Sequence, residues 1–239
     1  MATVNALNIG AVTLPGGGYP PLSAFKLPVR TGLTGLFLLG NGLALSSKNY
    51  AGGADAELVG SPVDGGGFVS LSPASFIQTD VAETLDFSIF TIGRKPSGSP
   101  AGEAVFVGNF GVGQVGTSIY TVSGLIQYNV DRTPTGGTTG SVTSNAAAFG
   151  LYSVRATAAG VVDVFNHTTT NGSISPNVNP RAATGAGPFR IGTMYGGSSF
   201  TSNPDMNMVM IYNRKVSDAE RTVIADWARG YAAECGITV

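Results

Sequence analysis

The stretch Asp205-Met206-Asn207-Met208-Val209-Met210-Ile211-Tyr212-Asn213, with the segment after it as far as Gly236, decides the fold. Residues 205–213 form a β-favouring run free of Gly and Pro, so they read as a strand. Arg214, Lys215 and Val216 turn the chain. Ser217-Asp218-Ala219-Glu220 is a capping box, in which each end residue satisfies the other's backbone amide. Val223, Ile224, Trp227, Ala228 and Tyr231 then recur every three or four residues, which predicts a helix over 217–235. Gly236 sits where such a helix favours a residue tolerant of positive φ.

Upstream the pattern changes. The 239 residues include 35 Gly and 13 Pro, scattered so as to cut the chain into many short elements, the punctuation of an all-β sandwich. No Pro follows Pro204, consistent with an uninterrupted closing strand and helix. Strands are expected at 33–39, 56–59, 68–71, 75–81, 87–92, 104–107, 117–122, 125–130, 151–157, 161–167 and 188–192. Ser123-Gly124 and Ala158-Ala159-Gly160 make hairpins, Asn171-Gly172 a tight turn, and residues 133–148 a long loop. Residues 1–30 read as an extended arm ahead of a domain covering 31–239. Tyr19 and Phe25 make that arm too apolar to be comfortably solvated, so it is expected to lie on this domain or on a neighbour.

Composition excludes several classes. A 43% hydrophobic content supplies a sizeable core, while 11% charged residues leave the surface to Ser, Thr, Asn and Gly. A net charge of −1, without a basic block, gives no footprint for nucleic acid. No run is long and apolar enough for a membrane helix, and the first residues lack the pattern of a secretory signal. A single cysteine, Cys235, rules out an intrachain disulfide and reads as a packed side chain.

Four blocks resemble the laminin-G-like, concanavalin A-like jelly roll, in the short form of bacterial and bacteriophage proteins. The first is the 33–39 strand with Ser46-Ser47-Lys48-Asn49-Tyr50-Ala51-Gly52-Gly53 and Ala56-Glu57-Leu58-Val59-Gly60-Ser61-Pro62. The second is Asp86-Phe87-Ser88-Ile89-Phe90-Thr91-Ile92, and the third is the hairpin at 151–165. The fourth joins Phe189-Arg190-Ile191-Gly192 to Met210-Ile211-Tyr212-Asn213-Arg214-Lys215-Val216-Ser217-Asp218-Ala219-Glu220, and it is the specific one. The resemblance covers residues 31–236 and implies two antiparallel sheets face to face, with a helix packed outside. It does not fix function, because this fold serves lectins, adhesins, glycosidases and virion parts alike.

Its glucan-cleaving relatives line up carboxylates as Glu-x-Asp-x-(x)-Glu along one strand, and no such run exists here. Asp80, Glu83 and Asp86, spaced by three, alternate faces and read as solvated loop charges. His167, the only histidine, lies four residues after Asp163, yet no serine elbow completes a triad. It reads as a structural or exposed histidine. The dispersed acidic residues define no calcium loop, so no cofactor is assigned, calcium remaining a family alternative. Asn166-His167-Thr168 and Asn171-Gly172-Ser173 fit the glycosylation pattern and read as chance matches. Tyr50, Asn109, Phe110, Tyr195 and Phe200, in loops or at strand ends beside glycines, are the glycan-contact candidates. The family's closing strand typically reads Ile-Asp-Glu-Val-Arg-Ile-Tyr-Asn, with Glu and Arg wet. Met208 and Met210 occupy those wet positions here, which makes an apolar patch for a neighbouring subunit or for the protein's own helix.

These features favour a non-enzymatic bacteriophage virion protein, a head decoration, fibre or tail component. It is expected to assemble with itself and other virion proteins and to contact host-surface glycans. The alternative is a free carbohydrate-binding module or bacterial adhesin, with a glycan hydrolase third.

Overall fold

A computed structural model describes residues 27–111, 116–131, 137–175, 179–183 and 185–239. The strands run β1 Leu33–Leu38, β2 Glu57–Val59, β3 Val63–Asp64, β4 Val69–Ser70, β5 Phe76–Gln78, β6 Phe87–Arg94, β7 Val105–Gly108 and β8 Ser118–Val122. They continue as β9 Leu125–Asp131, β10 Gly137–Thr143, β11 Gly150–Ala156, β12 Val162–Asn166, β13 Asn171–Ser175, β14 Arg190–Ile191 and β15 Asp205–Tyr212. A short helix, α1, spans Leu43–Ser46, and the long one, α2, spans Asp218–Glu234.

Among the described residues the strands form two antiparallel sheets. The first has eight, in the order β13-β12-β11-β6-β15-β4-β3, with β1 also on β15; the second has seven, in the order β10-β9-β8-β7-β14-β5-β2. The expected all-β sandwich with one C-terminal helix outside is what the chain forms. The core between the sheets is built by alternation. Phe87, Ile89, Val154, Val209 and Ile211 from the first sheet meet Phe106, Ile119, Ile126, Tyr128 and Ile191 from the second.

β15 lies inside the first sheet, between β6 and β1. Its ladder shifts register between Met206 and Met208. A bulge of this kind adds one residue and switches which face the following side chains occupy. Met206 therefore points into the inter-sheet core, whereas Met208, Met210 and Tyr212 point to the opposite side.

That opposite side is closed by α2. Ile224, Ala225, Ala228, Tyr231 and Ala232 pack with Leu36, Leu38, Phe90, Ile92, Met208, Met210 and Tyr212. Leu27 and Val29 join the same layer. Met208 and Met210 are 0% exposed, so of the two covers expected for them, a neighbouring subunit or the chain's own helix, it is the helix that lies over them. The helix is fixed at both ends. The Ser217 amide donates to Glu220 Oε2 at 2.8 Å and the Glu220 amide to Ser217 Oγ at 3.2 Å, completing the capping box. At the other end Gly236 has φ +75°, and the Ile237 amide returns to the Ala232 carbonyl at 2.9 Å, a Schellman closure.

A buried arginine ties helix to sheet. Arg155 on β11 forks onto Asp163 of β12 at 2.8 and 3.0 Å, and also donates to the Val216 carbonyl (2.9 Å) and to Asp218 (2.6 Å). Its guanidinium thus satisfies the chain just where α2 begins. Asp163 also takes Lys215 at 3.1 Å.

Two expectations about loops fail. Residues 137–143 are the edge strand β10, paired along its length with β9, rather than part of a loop. Asn171-Gly172 opens β13 instead of turning; the turn comes earlier, with Thr170 at φ +54°. Tyr19 and Phe25, and the proposed arm up to residue 26, lie outside the described residues.

Candidate functional site

The outer face of the second sheet is organised differently. The loop between β14 and β15 crosses it, and Met194 and Phe200 from that loop pack on Val105, Tyr120, Phe110 and Val122. Tyr120 meets Phe200 edge to face, ring centroids 5.0 Å apart, and its hydroxyl donates to Gln127 Oε1 at 2.7 Å. Alternation explains the placement: Ile119 faces the core, so Tyr120 faces out. Burial pushes the Tyr120 phenol up to about 12, with a contribution from the nearby Glu103 charge.

Beside this cluster stands a second one. The Arg190 guanidinium on β14 lies 3.6 Å from the Tyr195 ring centroid and 4.7 Å from that of Phe76 on β5. Gln78 locks the stack: Arg190 Nε donates to Gln78 Oε1 at 2.8 Å, and Gln78 Nε2 donates to the Tyr195 hydroxyl at 3.1 Å. The Tyr195 hydroxyl in turn donates to the Pro188 carbonyl at 2.9 Å. Tyr195 and Phe110 are neighbours, the Tyr195 amide donating to the Phe110 carbonyl at 2.8 Å. Phe110, Tyr195 and Phe200 therefore share one face, each half-exposed. Sequence reading missed Arg190, Gln78, Tyr120 and Gln127; their outward positions in alternating strands were the signal.

The other two glycan candidates stand elsewhere. Tyr50 packs in the layer beneath α2, on the far side of the molecule, where burial raises its pKa. Asn109 is fully buried and serves the scaffold: its Oδ1 accepts from the Thr117 amide (2.7 Å) and its Nδ2 donates to Glu83 Oε2 (3.0 Å). Glu83, expected in solvent, is instead buried and paired with Arg181 at 2.5 Å, Thr117 also donating to it. Asp80 and Asp86 are exposed, and Asp86 accepts from the Ala158 amide at 2.6 Å.

The groups that chemistry would need are committed to structure. His167 Nε2 lies 2.9 Å from Ser153 Oγ, a pairing that no sequence motif announced. Both residues are buried, and Phe90 and Phe165 flank the His167 ring. Burial, helped by the charges of Arg221, Arg229 and Arg155, pulls the His167 pKa down to about 3, so the ring is neutral. Asp163 serves Arg155, not this histidine. Asn166 of the glycosylation pattern is buried, its Nδ2 donating to the Thr143 carbonyl. Among the described residues no three His, Cys, Asp or Glu side chains gather as metal ligands, and no helix is long and apolar enough to cross a membrane.

No protein-family model and no curated protein matches the chain. Solved structures do match. The binding domain of Paraclostridial Mosquitocidal Protein 1 superposes with a TM-score of 0.61 at 16% identity, over 84% of this chain and 53% of that one. The Botulinum Neurotoxin Type G receptor binding domain gives 0.60 at 11% identity, over 83% and 51%. The serotype D ligand binding domain, solved in complex with N-acetylneuraminic acid, gives 0.57 at 8% identity, over 86% and 52%. The chain thus spans about half the length of each of these domains. At such identities the likeness establishes a shared β-sandwich architecture.

Proposed function

We propose that this chain is a non-enzymatic binding and structural module of a bacteriophage virion, a head decoration, fibre or tail component that meets host-surface glycans. The observation that carries the reading is the contrast between the outer faces of the two sheets. The first is closed by the chain's own helix, whereas the second carries half-exposed aromatic and amide side chains held by a loop. Aromatic faces flanked by amides and hydroxyls suit sugars, which present apolar C–H faces and polar rims. Ser153 with His167, and Glu83 with Arg181, are spent on the interior, which supports binding without turnover. The likeness to toxin receptor-binding domains supports the binding half of the reading. The sparsely charged surface and the apolar residues of 1–26 support the virion half, through contacts with further copies and other virion proteins.

Two measurements test it. Mass spectrometry of purified virions is expected to find the chain, and a glycan array is expected to show binding that Phe200→Ala and Tyr195→Ala weaken. Turnover of a glycan polymer by the purified chain would overturn the non-enzymatic reading.

A further inference from the structure

Next to the aromatic face, the loops that join β6 to β7, β8 to β9 and β10 to β11 enclose a recess of about 710 Å³. Its wall is made by Lys95, Ser97, Glu103, Ser123, Asn145 and Ala147, among others. The volume lies within the range of small-ligand sites, about 300–1,000 Å³.

The loops are braced against one another rather than loose. The Lys95 amide donates to the Ala146 carbonyl at 2.7 Å and the Ser144 amide to the Gly124 carbonyl at 3.0 Å. The Glu103 amide donates to the Ser199 carbonyl at 3.0 Å, and the Ser202 amide donates back to the Glu103 carbonyl at 3.2 Å. The residue after Ser199 is Phe200, so the backbone that positions Glu103 also positions the exposed aromatic edge.

Lys95, Ser99, Thr121, Ser144 and Asn145 in the wall are tied up in hydrogen bonds, whereas Glu103, Ser97 and Ser123 keep their side-chain oxygens for a ligand. The Glu103 carboxylate makes no hydrogen bond or ion pair with any described residue, and the nearby Lys95 ammonium is spent on the Gly102 carbonyl at 2.6 Å. Partial burial raises the Glu103 pKa, as expected for a carboxylate that gains little locally in exchange for lost water. Among the described residues the hydroxyls of Ser97 and Ser123 likewise have no hydrogen-bond partner. Ser123 is held at φ +42° by the hairpin turn, which fixes it at the mouth.

Resting on the glycan-contact reading above, the geometry points to this recess as the sugar site, with a neutral hexose as its ligand class. The two Glu103 oxygens accept from adjacent sugar hydroxyls, and Ser97 and Ser123 meet the remaining hydroxyls. Charge-assisted bonds of this kind are the strong ones. Glu103 and Lys95 stand in the same wall and leave it without net charge, which suits a neutral sugar.

Titration calorimetry of the full chain with a panel of neutral methyl hexosides and with N-acetylneuraminic acid tests the assignment. Binding of a neutral hexoside, weakened about tenfold or more by Glu103→Gln and abolished by Ala147→Trp, is the expected result. Both positions are at the surface, and matching thermal melts verify that the variants fold. Equal affinity in both variants would overturn the recess while leaving glycan contact standing. Stronger binding of N-acetylneuraminic acid than of any neutral hexoside would also overturn it. No binding of any sugar by the unaltered chain would remove the glycan reading itself.

Discussion

The outer faces of the two sheets start from similar material and end differently. On the first, Met208, Met210, Phe90 and Tyr212 lie beneath α2, which is capped at both ends and pinned by Arg155. On the second, Tyr120 and Arg190 lie beneath a loop that carries Tyr195 and Phe200 and covers only part of the sheet. The difference teaches that apolar residues at outward strand positions do not by themselves mark an interface. What decides is whether the chain brings a covering element of its own, and here it brings one helix for two faces.

Substitutions sharpen that contrast. The largest effect is expected from Met210→Asp, which places an uncompensated carboxylate in a dry layer. It should cost more than about 4 kcal/mol, whereas Thr139→Asp, exposed on the second sheet, should stay within about 0.5 kcal/mol in urea titrations. Similar losses at both positions would dissolve the distinction. Next comes Arg155→Met, which removes the fork on buried Asp163, leaving it Lys215 and Arg221 alone, and is expected to cost about 3 kcal/mol. Arg190→Met, on the half-exposed stack, should cost about 1 kcal/mol.

Acid acts on the same side as the helix. Unfolded, His167 takes a proton near its ordinary value of 6.5; folded, it resists protonation down to about 3. Between those values the unfolded chain binds the extra proton, so stability is full above pH 6.5 and is lost as pH falls through the window. The slope should reach about 1.4 kcal/mol per pH unit and vanish in His167→Gln. Asp218 and Glu220, whose pKa values are lowered by Arg155 and Arg214 respectively, act in the same direction only below the ordinary carboxylate range. The smallest effect is that of Ser217→Ala, which removes one half of the capping box. It should cost about 1 kcal/mol and raise amide exchange in the first turn of α2.

Local signals made much of this readable from sequence. The capping box, the three-to-four spacing of Ile224, Ala228 and Tyr231, and Gly236 all act within a few residues, and α2 is found where they place it. The resemblance of the closing strand added the sandwich. What failed depends on distant partners. β10 is rich in Gly and Thr and is a strand because β9 lies beside it. Glu83 is buried because Arg181, 98 positions away, comes to meet it. The bulge at Met206 and Met208, which decides what each methionine touches, leaves no mark in the residue pattern. At the candidate site, Phe110, Tyr195 and Phe200 could be picked out as loop aromatics, but nothing local pointed to Glu103, because the recess it lines exists only where three loops converge.

Ligands are expected to meet the second sheet and its loop end, not the helix-covered side. Amide NMR shifts recorded during titration with a neutral methyl hexoside test it most directly. Changes confined to residues 95–103, 121–124, 144–147 and 195–201, with α2 unmoved, are the predicted result. Changes centred on α2 and the 214–221 turn would contradict it.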